Sequence, residues 1–198
     1  KKPSTSAIDS LGLSYVVNAD GKTCYITGIV GNYTSEIHIS QVNSDGYTVT
    51  SIGNSVFDGS GLTSITLPDS VTSIGNSAFY KCSSLKSITI PEGVTSIGSR
   101  TFYACSNLTS ITIGYGVTLI EWEAFYSCCS LKTVYYGGKA DDWKKIEINS
   151  RNSELTSATR YYYSGTEPEL NSDGTAYNGN YWHYDTDGVT PVIWKKEN

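Results

Sequence analysis

Three cysteines, Cys82, Cys105 and Cys128, recur at intervals of 23 residues. A thiol on a fixed spacing invites disulfide pairing, metal ligation or nucleophilic attack. Three residues one period apart cannot all pair, and Cys24 and Cys129 lie at unrelated places. No two cysteines are separated by two residues, as zinc sites usually require. The slot is one that the surrounding pattern makes apolar, so the expectation is a ladder of free, buried thiols serving as small hydrophobes. Other reactive groups are sparser. His38 and His183 are the only histidines and stand in separate segments. Asp141 and Asp142 are adjacent, so their carboxylates diverge rather than flank a bond. Asp185-Thr186-Asp187-Gly188 resembles the start of a calcium loop, but its two possible registers end on Lys196 and Trp194, where a bidentate Glu is needed. A hairpin turn is expected there instead. There is no nucleophile elbow, His-Glu-x-x-His pair or phosphate-binding loop. The sequence thus predicts no catalytic site, no metal site and no cofactor.

What positions the cysteines is a repeat. "IGNSAFYKCSSLKSITIPEGVTS" (74–96) is followed at once by "IGSRTFYACSNLTSITIGYGVTL", preceded by a 22-residue version (52–73), and followed by a further copy running to Tyr136. All four phenylalanines, Phe57, Phe79, Phe102 and Phe125, stand in register. Such a period marks a solenoid in which each unit buries its apolar face against its neighbours. The run "SITI" alternates β-branched and small polar residues, so it reads as a strand, ended by Pro68, Pro91 or Gly114. Stacked copies make a parallel sheet.

The pattern Leu-x-x-Ile-x-Ile-Pro-x-x-Val-x-x-Ile-Gly-x-x-Ala-Phe-x-x-Cys resembles the BspA-like leucine-rich repeat of bacterial surface proteins over residues 52–136. Its departures are Gly59-Ser60 near the first Cys slot, Val56 and Thr101 for Ala, and Glu121 for Gly. The fold expected is a repeat solenoid, a leucine-rich-repeat right-handed superhelix, mostly β, with short turns or single-turn helices on its convex side. Residues 1–51 read as an N-terminal cap: a hairpin turning at Asp20-Gly21, then a degenerate repeat carrying Ile37, Ile39, Val49 and Ile52. Residues 1–10 are polar and expected to be loose. Residues 137–163 read as an aromatic C-terminal cap with strand-like Trp143, Ile146 and Ile148. Residues 164–198 read as a polar linker and an aromatic hairpin.

The net charge of −5 argues against nucleic acid or an anionic membrane as partner. No apolar run approaches the ~18 residues of a membrane span. The chain contains no Met and starts on Lys1, so it reads as a mature chain whose leader has been removed.

Candidate binding residues fall in columns. Ser64, Ser87, Ser110 and Thr133 form one outward ladder on the sheet, and Thr66, Thr89, Thr112 and Tyr135 the next. They either make a concave binding face or simply suit a solvated sheet and hydrogen-bond along it. Tyr80, Tyr103 and Tyr126 form a convex aromatic column. Trp182, Tyr184 and Trp194 crowd the tail. They either pack on the C-terminal cap or contact a ligand, since "NGNYWHYDTDG" resembles the aromatic hairpins of bacterial cell-wall-binding repeats. The family resemblance implies a secreted or surface-displayed protein, monomeric, that binds protein or glycan on a cell surface. A structural spacer within a larger surface protein is the remaining reading.

Overall fold

The computed structural model describes residues 7–31 and 34–195 of the chain. Most of the segment expected to be loose, and Lys196, lie outside those residues.

Strands β1 (Ala7–Ile8), β2 (Leu13–Val17) and β3 (Thr23–Ile29) form an antiparallel meander at the N-terminus. The β2–β3 connection is longer than the tight turn expected at Asp20-Gly21, because only Gly21 takes a positive φ, of 64°. Asn18 and Thr23 close the loop, and the Asp20 carboxylate accepts the amides of Lys22 and Thr23. Strands β4 (Glu36–His38) and β5 (Thr48–Ile52) form the degenerate coil.

Each regular repeat then supplies a concave and a lateral strand. These are β6 (Ser64–Thr66), β7 (Ser73–Ile74), β8 (Ser87–Ile90), β9 (Ser96–Ile97), β10 (Ser110–Ile113), β11 (Leu119–Ile120) and β12 (Thr133–Tyr136). Parallel pairing keeps strict register: Ile88 lies beside Ile111 and Ile111 beside Val134, so identical positions stack. β4 pairs with β6 in the same way, Ile37 beside Ile65. The core is the sum of these columns. The four phenylalanines are fully buried and stack with centroids 5.2, 5.3 and 5.2 Å apart.

The convex turns are held by a second backbone ladder. In one turn the amides of Ser77, Phe79 and Lys81 donate to the carbonyls of Ser99, Thr101 and Tyr103 in the next, at 3.0, 2.9 and 2.7 Å. Pointing alternate amides the same way requires left-handed backbone at Ser55, Ser77, Arg100 and Glu123, and again at Gly59, Lys81, Ala104 and Ser127. Gly98 has a packing reason: a Cβ there would lie 2.4 Å from Asn76 Oδ1, which accepts the Ser99 amide. One repeat later the Asn slot holds the shorter Ser99, so Glu121 fits where Gly stood. Its carboxylate binds the Ser99 amide and hydroxyl.

Past β12 come α1 (Ala140–Trp143), β13 (Glu147–Ile148), α2 (Ser153–Ser157) and β14 (Thr159–Tyr163). Trp143 sits in a helical turn rather than the strand-like position expected, edge-on to Tyr136 at 5.2 Å. β14 pairs parallel to β12 as one more rung. The segment 164–180 has pairing of its own, an antiparallel bridge between Leu170 and Tyr177. Beyond it, β15 (Tyr181–Tyr184) pairs parallel to β14, and β16 (Pro191–Ile193) returns antiparallel. The tail therefore adds two strands to the concave sheet, in the order β16-β15-β14-β12-β10-β8.

A roofed cleft on the concave face as candidate functional site

The hairpin β15–β16 does more than extend the sheet. Tyr184 and its turn residues Gly188, Val189, Thr190 and Pro191 face the concave strands β6, β8 and β10 across a cleft of about 1000 Å³. Ser64, Thr66, Ser87, Thr89, Ser110, Thr112 and Tyr135 all line it, bringing seven of the eight concave candidates together, while Thr133 does not line it. None of these hydroxyls hydrogen-bonds to another among the described residues.

Thr112 departs from expectation. Thr66 and Thr89 in its column are exposed, but Thr112 is 95% buried. Its hydroxyl has no hydrogen-bond partner among the described residues. The hydroxyl itself is not sealed off, since among the described residues the one buried side-chain polar atom without a partner is Arg160 Nε, so it is free to pair with a ligand group.

The cleft rim holds residues the sequence reading passed over. Asp69, Glu92 and Tyr115 each follow a strand at the repeat spacing and all line the cleft. The signal was present, one position past Pro68, Pro91 and Gly114. Tyr115 is 59% exposed. Facing them, the Tyr184 hydroxyl has its pKa raised, by burial first and then by the negative charges of Glu92 and Asp69 and the nearby Tyr163. It stays protonated at neutral pH and can donate.

The tail aromatics divide. Trp182, expected among the ligand contacts, is fully buried and unavailable to a ligand. Its Nε1 donates to the Tyr136 carbonyl at 2.9 Å, and its ring packs against Tyr135, Tyr163 and Tyr184. An indole with its donor satisfied and both faces covered is a packing anchor. Trp194 donates to the Ser164 carbonyl and lies 4.3 Å from the His183 ring, outside the cleft. On the convex side Tyr80, Tyr103 and Tyr126 stack at 4.8 and 5.3 Å.

The thiols are engaged as hydrogen-bond donors to carbonyls one repeat back. Cys82, Cys105 and Cys128 donate to Phe57, Phe79 and Phe102 at 3.0, 3.1 and 3.0 Å. Ser60 fills the first Cys slot, its Oγ 3.2 Å from Cys82 Sγ. All five cysteines are free, and only Cys129 is exposed. The hydrogen bond to Cys82 and burial push the Cys105 thiol up, and burial raises Cys128 to about 12. Thiols held protonated are poor nucleophiles and poor ligands. A shallower hollow of about 640 Å³ beside Cys129 includes Glu154, whose carboxylate is already bonded to the Ser127 amide and the Ser153 hydroxyl. Among the described residues, no group of His, Cys, Asp or Glu could hold a metal ion, and no helix is long and apolar enough to cross a membrane.

The family model of the BspA type leucine rich repeat region matches residues 32–161 in six copies, well over half of the chain. The chain belongs to this family. The match runs beyond the 52–136 block on both sides, into the degenerate coil and into β14. A leucine-rich repeat protein from Bacteroides capillosus is 28% identical, with a TM-score of 0.58 over 68% of this chain and all of that one. The leucine-rich repeat protein of T. pallidum is 24% identical and shares the fold, with a TM-score of 0.60 over 78% of this chain and 64% of its own. One from Bacteroides ovatus is 25% identical at a TM-score of 0.59, and this chain covers 81% of itself but 47% of that protein. No curated protein matches.

Proposed function

We propose that this chain is a non-catalytic binding module of a bacterial cell surface or secretion, and that it engages a protein partner through the roofed concave cleft. The observation that carries the reading is the hydroxyl-lined floor under the hairpin, with Thr112 buried and unpartnered. A rigid solenoid presents such a floor without rearrangement, which lowers the ordering cost of association. Family resemblance is what supports the surface location and the adhesive role in this reading.

A glycan ligand is the second reading, favoured by the exposed Tyr115 ring at the rim. The test is binding of the fluorescently labelled chain to cultured animal cells, with Thr89→Trp to fill the cleft and Tyr103→Ala to alter the convex column. Saturable binding that survives Tyr103→Ala, vanishes with Thr89→Trp and is abolished by protease treatment of the cells is the expected result. Sensitivity to glycosidases instead of protease moves the assignment to glycan. Binding unaffected by Thr89→Trp, or none that saturates, overturns the proposal.

A further inference from the structure

We infer that the cleft takes an extended, basic peptide segment, with a lysine or arginine side chain received between Asp69, Glu92 and Tyr115. The inference rests on the binding role proposed above and specifies the chemistry of the ligand. The lining contains two carboxylates and no Lys, Arg or His. Neither Asp69 nor Glu92 has an ion pair or a side-chain hydrogen bond among the described residues. Many other carboxylates are engaged, Glu123 with Arg100 and Arg151, Asp141 and Asp142 with lysines, Asp20, Asp173 and Asp187 with neighbouring threonines, while the open ones at Glu36, Asp45, Asp58, Glu147 and Glu169 lie outside the cleft.

Two open carboxylates one repeat apart, in a cleft with low-dielectric walls, focus a negative potential that favours a cation and rejects an acidic segment. The neighbouring Tyr115 ring is open to receive the same cation on its face. Thr112 supplies the second, independent feature. The residue is 95% buried, and its unpartnered hydroxyl, open to the cleft, can pair with a peptide amide or carbonyl. A sugar platform needs open ring faces, and the other two rings here are occupied. Tyr135 packs on Tyr161 and Trp182, and Tyr184 packs on Tyr163 and Trp182.

The probe is a phage-displayed random dodecapeptide library panned on the whole chain. Selected peptides should be enriched in Lys or Arg. The best of them, made synthetically, should lose affinity about tenfold or more towards the double variant Asp69→Asn/Glu92→Gln. Their affinity should also fall with added salt. Thr112→Val should weaken them while leaving the melting temperature unchanged or higher, since it removes only an unpaired hydroxyl. Peptides that lose binding with Thr89→Trp but carry no basic residue, or ignore the double variant, overturn the cation assignment and leave the binding role standing. A selection that yields nothing sensitive to Thr89→Trp overturns both.

Discussion

The convex and concave faces of this solenoid are made from the same repeat, yet they differ in what they leave unbonded. On the convex side alternate amides reach the next turn, each ladder thiol reaches a carbonyl one turn back, and the aromatic rings stack on each other. Even the end of the ladder is closed. Past the last repeat, Asn152 Oδ1 accepts the Phe125 amide at 2.9 Å and Glu154 Oε1 accepts the Ser127 amide at 2.7 Å, taking the place of the carbonyls of a further turn. The concave side leaves side chains open: six Ser and Thr hydroxyls and two carboxylates face one cleft without partners. A face whose polar groups are satisfied by its own neighbours is suited to stacking. A face whose polar groups are not has recognition capacity to spare.

The largest effect expected from that contrast lies between the faces, at Phe102. Phe102→Ala removes the middle of the ring stack and should cost about 3–5 kcal/mol. Thr89→Ala, on the exposed floor of the cleft, should stay within about 0.5 kcal/mol. Urea denaturation of the two variants measures both. Comparable losses would mean that the concave hydroxyls are structural, and the contrast would fail.

A smaller loss is expected where the convex ladder ends. Asn152 is 3% exposed, and its Nδ2 donates to the carbonyls of Glu121 and Asn149 while its Oδ1 takes the Phe125 amide. Asn152→Ala leaves the Phe125 amide and the Asn149 carbonyl unpaired and should cost about 1–3 kcal/mol. Asn152→Asp keeps the acceptor and loses the donors, so it should fall between. If Asn152→Ala unfolds like wild type, the end of the ladder needs no cap.

What the sequence made visible is what it says repeatedly. Phe79, Ile88 and Cys105 could be assigned inward because their counterparts recur one period away, and recurrence distinguishes a column from chance. The hairpin roof left no such trace. Trp182 meets the Tyr136 carbonyl across 46 positions, and that contact happens once. Nor does the column's own pattern separate Thr112 from Thr89, although Thr112 is buried and Thr89 exposed. The caps Asn152 and Glu154 are likewise single events, placed where the register breaks. Asp69, Glu92 and Tyr115 were legible in principle but differ in type, and a column of unlike residues is easily missed.

The smallest effect should come from the one buried carboxylate of the convex side. Glu123 is 3% exposed and receives Arg100 Nε and Arg151 Nη1, each at 2.8 Å, while both guanidinium groups lie over the Trp122 ring, at 4.5 and 5.7 Å. Burial pushes the Glu123 carboxyl up, but the hydrogen bonds and charges of the two arginines outweigh it and hold its pKa below the usual range. A folded-state pKa below the unfolded value means that the unfolded chain takes up the proton first. The stability contributed by Glu123 is therefore fully present above about pH 4.3 and is lost as pH falls through the lower folded value. Wild type should exceed Glu123→Gln in melting temperature at pH 7, and the gap should close with acidification below that point. The arginines are 45% and 59% exposed, so solvent screens the pairs and the gap at pH 7 should be smaller than that for Asn152→Ala. Melting curves of both proteins from pH 7 to pH 2 decide it. A gap that persists unchanged at the acid end would show that Glu123 acts through shape alone, and that the convex face needs no charge to hold its turns together.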